Sequence, residues 1–254
     1  MESTENLAGV TVSGDYADFY HLVEAFHEIT IYECAEKNQE YIEVSTRLLG
    51  ICYDIRHAYM GDRELVLVDN HVDEDKMRWH EIIVPKTNVY YRCNLMYPEM
   101  VFAMIVINEL IDVRIRTLTK KRFLYFDEYT HKNVVWDQTI TTLRSFQSAF
   151  VRCVRELLSP SLFSRWLSAV TDRYIYIPGI TLQYLDLVNI KYLEATREKR
   201  LKGFTAMTRR IANYRSDTEC GRIKSIVRKG AVELGTYESN VGIRGVEYPD
   251  KIEW

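Results

Sequence analysis

The sequence has little of the cysteine chemistry that marks small secreted proteins or zinc-stapled ones. It holds five cysteines in 254 residues, an odd number, widely spaced and without a CxxC pair. Neither a disulfide framework nor a thiolate metal site is therefore predicted. The first residues, MESTENLAG, are acidic and polar where an export signal needs positive charge followed by an apolar run. We expect a cytoplasmic protein with no metal and no cofactor.

Long hydrophobic runs and strong net charge are also missing. The longest apolar run is Met100 to Ile107, far short of the roughly 20 residues that a membrane span requires, so we expect no membrane contact. A net charge of -3 with 27% charged and 47% apolar residues is typical of a globular protein. The sequence also lacks a phosphate-binding glycine loop, GxSxG and HExxH. Composition and motifs therefore leave the activity open.

Apolar periodicity predicts an α+β fold, in which a small, mostly antiparallel sheet is packed by helices. Strands are expected over 7–13, 65–68, 79–84 and 89–97. The run LVLV at 65–68 is apolar on both faces, a pattern typical of an interior strand. The acidic stretch that follows it predicts a turn, and its histidines and acids match no known metal-ligand spacing.

Helices are predicted from Asp15, from about 42 to 60, and from Pro98. Asp15 suits a helix cap, Gly61 suits the position just past a last turn, and Pro98 suits a first turn. The third helix is apolar nearly all round, so we expect it to lie at the centre of the core.

The second half of the chain is predicted to be mainly helical. We divide the sequence into an α+β core region (1–120), a helical region (121–215) and an irregular, glycine-containing arm (216–254), which together form one domain or more. A hairpin is expected over 123–137, and a long basic helix is expected within 191–229.

One helix carries the most suggestive group of polar residues. At about 100° per residue, the apolar residues of the 42–60 helix share one side, whereas Arg47, Gly50, Asp54 and His57 fall on the other. The i to i+3 spacing of Asp54 and His57 would let the carboxylate orient the imidazole as a general base. An internal glycine costs about 1 kcal/mol relative to alanine, and Gly50 would let a ligand or another backbone approach.

The same face has a structural interpretation, in which its charges form a ladder of ion pairs and Gly50 admits a neighbouring helix. If the face is instead a site, Arg47, Gly50, Arg56 and Arg63 are the candidates for binding an anion or another ligand. Cys52 points to the apolar side and is read as a core residue.

A second candidate surface is basic. Between 191 and 229 there are 12 Lys and Arg against four Asp and Glu, a balance of +8 in a chain of -3. Such a stretch suits phosphate contacts or a solvated helix face. The nucleic-acid candidates are Arg197, Lys199, Arg200, Lys202, Arg209, Arg210 and Arg215.

Three segments look familiar when they are taken together: ENLAGVTVSGDYADFYHLVEAFHEI, LLGICYDIRHAYMGDRELVLVDN and NVYYRCNLMYPEMVFAMIVIN. They resemble an uncharacterised bacterial family, a domain of unknown function whose members share a GxCYDIRHAxxGDR-like stretch ahead of a strand and a helix. The resemblance covers about the first half of the chain. It implies a bacterial, cytoplasmic protein and assigns no catalytic role to any residue.

Three hypotheses for function follow from these patterns. The first is a non-enzymatic binding or regulatory protein that associates with itself or with a protein partner, because no catalytic signature is present and the charge is unevenly distributed. The second is a hydrolase or nuclease-like enzyme that uses Asp54 and His57. The third is nucleic-acid binding through the basic helix at 191–229. The position of the Arg47, Gly50, Asp54 and His57 face, open or packed, discriminates the first two.

Overall fold

The computed structural model describes residues 1–32, 41–119, 131–171, 180–243 and 247–254. Within these ranges the first half contains both strands and helices, and helices alone follow. In chain order the elements are β1 (Glu2–Ser3), β2 (Gly9–Gly14), α1 (Tyr16–His27), α2 (Ile42–His57), β3 (Glu64–Asp69), α3 (Glu74–His80), β4 (Thr87–Met96), α4 (Tyr97–Leu118), α5 (Lys132–Val135), α6 (Gln138–Leu157), α7 (Pro160–Val170), α8 (Ile180–Glu194), α9 (Arg197–Ala212) and α10 (Thr218–Leu234).

The four strands form one antiparallel sheet in the order β1-β2-β4-β3. Along β4, β2 lies on one side and β3 lies on the other. The β3 pairing runs from Glu64, opposite Arg92, to Asp69, opposite Thr87. Because β3 begins at Glu64, the segment Cys93–Met96 of β4 has no strand on that side among the described residues.

The helix α4 is the centre of the core, as its apolar sequence predicted. It carries Pro98 in its first turn and is buried without interruption from Tyr97 to Ile107. Helices α2, α6, α8 and α9 pack against it, and the α+β fold class is confirmed. No helix in the described ranges is both long enough and apolar enough to span a bilayer.

Two predicted helix boundaries are confirmed in atomic detail. Asp15 caps α1, since its side chain accepts a hydrogen bond from the Asp18 backbone N–H at 2.8 Å and Asp18 reciprocates. A short π-helical turn, Ala58–Asp62, extends α2, and Gly61 adopts φ +93° within it, a conformation that favours glycine. The glycine thus reverses the chain from α2 into β3.

Two expectations for the segment after α2 are wrong. The strand at 65–68 is not interior, because β3 is the edge of the sheet and is largely exposed. An apolar run indicates that a strand could be buried, but it does not show whether other elements pack on it. The predicted acidic turn becomes the helix α3, which Asp73 caps by accepting from the Lys76 N–H at 2.8 Å. The strand predicted at 79–84 is absent, because α3 continues to His80 and residues 81–84 form no strand.

The later part of the chain is more helical than expected. The second half of the predicted hairpin is the short helix α5, and its first half lies outside the described residues. The stretch 191–229 is not one basic helix, because it is shared among α8, α9 and α10. The arm over 216–254 is not irregular throughout, since Asp217 caps α10 and Gly235 ends it at φ +61°.

Candidate functional site

A cleft of about 760 Å³ lies along the polar side of α2, next to the part of β4 that extends beyond β3. It is also bounded by the first turn of α4, by α8 and by residues close to position 254. The lining residues are Thr46, Arg47, Gly50, Ile51, Asp54, Arg63, Glu64, Arg92, Cys93, Asn94, Leu95, Met96, Glu99, Leu182, Ile252 and Trp254. A volume of this size lies in the range of small-molecule sites, roughly 300–1,000 Å³.

Gly50 forms the open part of the α2 wall. A Cβ built at this position meets no atom of the described residues within 4 Å, so no helix among them packs against it. Arg47 and Asp54 lie on either side of it along α2 and are separated by about 10 Å at 1.5 Å rise per residue. The side of α2 that the sequence marked as polar therefore faces open space in the cleft at Gly50.

One end of the cleft is closed by a polar network around Arg47. Its Nε donates to Glu99 Oε2 at 3.1 Å, and its Nη2 contacts Glu99 Oε1 and donates to Asp186 Oδ1 at 2.8 Å. The Glu99 carboxylate is buried and also accepts from the Asn189 amide. Burial disfavours a charged guanidinium, but the hydrogen bonds and charge of Glu99, followed by those of Asp186, raise the pKa of Arg47. This arginine is therefore held in place as part of the wall.

Tyr248 joins the same network from the chain segment near position 254. Its hydroxyl donates to Asp186 Oδ1 at 2.8 Å and accepts from Asn189 Nδ2 at 2.9 Å. Burial raises the pKa of Tyr248 to about 12, with Asp186 adding to the increase, so the phenol keeps its proton at neutral pH. Further along, the backbone N–H and side-chain amide of Asn6 both donate to the Trp254 carbonyl at 3.1 Å. These contacts fix Ile252 and Trp254 as one wall of the cleft.

The other end of the cleft holds two arginines with unequal partners. Arg63 Nη2 donates to Asp54 Oδ1 at 2.9 Å. Arg92 lies directly across the sheet from Glu64, yet its Nη1 stays 3.8 Å from the carboxylate, too far for a hydrogen bond. The Arg92 Nε is buried and has no hydrogen-bond partner among the described residues. Of the three cleft arginines, Arg92 thus has the longest contact with a carboxylate.

Apolar and weakly reactive groups make up most of the remaining lining. Ile51 and Leu95 are buried parts of the core that reach the cleft, and Cys93 lies between Arg92 and Asn94 on β4. Burial, reinforced by the charge of Asp54, raises the pKa of the Cys93 thiol to about 12 despite the opposing charge of Arg63. The thiol is therefore protonated at neutral pH and is a poor nucleophile.

The structure separates the residues that the sequence grouped as a possible catalytic pair. Asp54 bonds to Arg63, whereas His57 Nδ1 contacts Asp62 Oδ2 at 2.6 Å. The imidazole also packs on Tyr53 with ring centroids 4.0 Å apart, and it does not line the cleft. Arg56 likewise lies outside the lining, with its guanidinium 5.6 Å from the Tyr53 ring centroid. The cleft thus includes Arg47, Gly50, Asp54 and Arg63 but neither His57 nor Arg56.

Several of the basic candidates serve the fold. Arg200 is buried and donates to three carbonyls, those of Tyr192 and Leu193 at the end of α8 and that of Asn6. Arg210 pairs with Asp217 and Glu219 at the start of α10. Arg197 donates to the Glu5 carbonyl at 3.0 Å, and Arg215 Nε donates to the neighbouring Tyr214 hydroxyl at 3.2 Å. Lys199, Lys202 and Arg209 are exposed on α9.

Sequence reasoning missed Arg92, Glu99, Ile252 and Trp254. Arg92 interrupts an alternating strand as an outward residue, Glu99 looked like an ordinary first-turn acid, and nothing in the sequence places residue 254 against α2. Only the topology brings them together. In the part of the chain that the structure describes, no group of three or more His, Cys, Asp or Glu has an arrangement suited to a metal ion.

Comparisons with known proteins give a family and no activity. The model of a family described as a domain of unknown function (DUF6904) matches residues 1–254. No curated protein and no solved structure matches the chain. A domain of unknown function is therefore shown over all 254 residues, while the bacterial origin and the GxCYDIRHAxxGDR-like family stretch stay predictions.

Proposed function

The chain belongs over its whole length to this family of unknown function, and we propose that it is a non-enzymatic binding protein whose cleft takes a small amphipathic anion. The ligand class is a carboxylate or phosphate monoester attached to an apolar body. The observation that carries the proposal is Arg92, which lines the cleft with 35% of its side chain exposed and with its Nη1 3.8 Å from the nearest carboxylate, that of Glu64. An acidic ligand group would give its terminal N–H groups a closer, charge-assisted hydrogen-bond acceptor.

The rest of the lining suits the body of such a ligand. Ile51, Leu95 and Met96 contribute apolar surface on one side, and Ile252 and Trp254 contribute it on another. Sites for small molecules combine mainly apolar walls with a few placed polar groups. The opening at Gly50, where no atom lies within 4 Å of a built Cβ, supports entry of the ligand alongside α2.

The enzyme hypothesis has less support from the geometry. Its base would be His57, whose Nδ1 contacts Asp62 outside the cleft. The thiol of Cys93, which lines the cleft, is protonated at neutral pH and offers no nucleophile in its place. The nucleic-acid hypothesis is weakened because Arg200 and Arg210 are already bonded within the chain. A binding role needs neither a base nor a free basic face. Association with a further protein chain remains part of this proposal.

Binding can be tested with the full chain and a panel of probes. The panel contains decanoate, decyl phosphate and indole-3-acetate, with decanol as the uncharged counterpart, and the readout is titration calorimetry. We expect saturable binding of at least one acid and at least tenfold weaker binding of decanol, since a hydrogen bond to a charged group contributes about 1.5–3 kcal/mol. Failure of every acid to bind saturably contradicts the proposal.

Two substitutions separate the cleft from nonspecific apolar binding. Gly50→Phe fills the opening and is expected to abolish binding of acids and decanol alike. Gly221→Phe is its control, because Gly221 lies on exposed α10 and its built Cβ also meets no atom within 4 Å. Arg92→Met should weaken the acids ten- to a hundredfold and leave decanol unchanged. Equal binding by the two phenylalanine variants would place the ligand elsewhere and overturn the proposal.

A further inference from the structure

No strand among the described residues pairs with the outer edge of β3, and monomeric proteins usually avoid such an open edge. The strand is six residues long, pairs regularly with β4 on its other side, and contains neither proline nor lysine. Proteins usually protect edge strands with those residues, with bulges or with a covering element, because an open edge is a template for another strand. We propose that β3 pairs with β3 of a second copy of this chain in an antiparallel, two-fold arrangement.

The backbone groups needed for this pairing point outward. The Asn70 N–H donates to the Lys86 carbonyl at 3.1 Å, immediately beyond β3. Successive residues of a strand direct their N–H and C=O groups to alternate sides, so Val66 and Val68 bond to β4 as Asn70 does. The N–H and C=O groups of Leu65 and Leu67 therefore face away from the sheet.

The side chains along the edge are apolar and exposed. Leu65 is 52% exposed, Leu67 is 67% exposed and Val68 is 43% exposed, so the strand is uncovered on both faces. Leu65 and Leu67 lie opposite Tyr91 and Val89, on the face of β4 that carries the buried Cys93 and Leu95. A second copy would extend this apolar face across the dyad and join two four-stranded sheets into one of eight strands.

Two-fold symmetry limits the possible registers. A two-fold axis perpendicular to the sheet leaves each side chain on the same face of the sheet, and directly opposite residues of an antiparallel pair also share a face. Because side chains alternate between faces along a strand, the axis must pass beside a residue, which then lies opposite its own copy. With the dyad at Val66, Leu65 lies opposite Leu67 of the second copy, and Arg63 lies opposite Asp69. A dyad at Leu67 would instead place Leu65 opposite Asp69, and a dyad at Leu65 would place Arg63 opposite Leu67. Only the Val66 register matches apolar with apolar residues and a cation with an acid on this face.

The occupant is therefore a second copy and not an unrelated protein. An unrelated strand would gain the same backbone hydrogen bonds, but nothing in β3 selects its side chains. The self-complementary register, with Leu65 against Leu67 and Arg63 against Asp69 on both sides of the dyad, favours this chain as its own partner. Arg63 also bonds to Asp54 within its own chain, so the dyad lies next to the cleft.

Light scattering coupled to size-exclusion chromatography tests the association on the full chain. The wild type is expected to elute with the mass of a dimer, and Leu67→Lys is expected to elute as a folded monomer, because its exposed side chain contributes little to the fold. Val232→Lys is the control, since Val232 is 83% exposed on α10. The proposal is overturned if the wild type is a monomer at all concentrations, even if that monomer binds a different protein. It is also overturned if Leu67→Lys remains a dimer.

Cysteine cross-linking tests the register directly. In the Val66 register the two Val66 residues form a pair without mutual hydrogen bonds, with Cα atoms about 4.5 Å apart, within the range that a disulfide spans. Val66→Cys is therefore expected to give a covalent dimer under mild oxidation. The two copies of Val68 would be roughly 14 Å apart at 3.4 Å per residue, so Val68→Cys should remain uncross-linked. Equal or preferential cross-linking of Val68→Cys refutes the register.

Discussion

Substitution of Gly50 by alanine is expected to stabilise the protein. Gly50 lies inside α2, and the helix continues seven residues beyond it to His57. Glycine in a helix interior is less favourable than alanine by about 1 kcal/mol, because its backbone loses more conformational freedom on folding. The built Cβ meets no atom within 4 Å, so no steric term opposes this gain. Gly50→Ala should therefore raise the free energy of unfolding by about 1 kcal/mol.

The gain can be measured by thermal and urea unfolding. For a chain of this size, 1 kcal/mol corresponds to an increase of about 2–4 °C in Tm. Gly203→Ala is the matched control, because Gly203 lies inside α9 and its built Cβ also has no neighbour within 4 Å. Both variants should gain by similar amounts, while only Gly50 borders the cleft.

One result would refute the reasoning about Gly50. If Gly203→Ala stabilises the protein and Gly50→Ala destabilises it, the position cannot be open in solution, and another chain segment or a tightly held ligand must occupy the space. The same outcome would remove the basis for treating Gly50→Phe as a plug of an empty cleft. Equal gains in the two variants would instead show that α2 carries an ordinary helical glycine whose only distinction is the space in front of it.

The remaining predictions concern ion pairs. Arg114 forms a two-bond pair with Asp137 at 2.9 and 2.8 Å, and both side chains are about nine-tenths buried, so Arg114→Met should lower the free energy of unfolding in urea by about 3–5 kcal/mol. The Arg228–Glu238 pair is exposed, and Arg228→Met is therefore a control that should lower it by less than about 1 kcal/mol. Similar losses in the two variants would contradict the role of burial. Hydrogen bonds and charge from Arg210 overcome burial to lower the pKa of Asp217, and those from Lys191 and Arg210 lower the pKa of Glu219. Because both folded pKa values lie below the unfolded ones, this stabilisation is present above about pH 4 and is lost as pH falls through the folded values. The free energy of unfolding of Arg210→Leu should thus be lower than that of the wild type by about 1 kcal/mol at pH 7, a value reduced for solvent exposure. This difference between the variant and the wild type should become smaller at pH 3. If it is the same at both pH values, Arg210 stabilises the protein through packing and not through its charge.

Local signals in the sequence were enough to predict several elements. Asp15 and Gly61 satisfy backbone requirements that neighbouring residues create, a cap in one case and a positive φ in the other. The apolar character of α4 on nearly all sides likewise reflects its own burial. Each of these features depends on residues within one or two turns, so the sequence is sufficient to identify them.

The cleft depends on contacts between distant parts of the chain. Trp254 reaches it because Asn6 holds its carbonyl, and Asp186 reaches Arg47 from α8. The contact expected between Asp54 and His57 is not the one that forms, for the same reason. The two residues do have i to i+3 spacing on the helix, but after the chain turns at Gly61, Asp54 bonds to Arg63 and His57 contacts Asp62. Spacing establishes which residues can share a face, and competition among all nearby charges decides which of them bond.

The two features that break local rules lie close together in the fold. A glycine inside a helix and an apolar strand at a sheet edge each cost stability or solubility in an isolated monomer, and sequences that fold well normally avoid both. Gly50 opens the cleft on α2. Strand β3 begins three residues after Gly61, opposite Arg92, and therefore leaves the rest of β4 uncovered so that it can line the cleft. A longer β3 would cover Cys93–Met96 and close the cleft, whereas a charged β3 would protect the edge. The short apolar strand therefore serves both the cleft and the proposed dimer surface, and Arg63, the residue just before it, belongs to both.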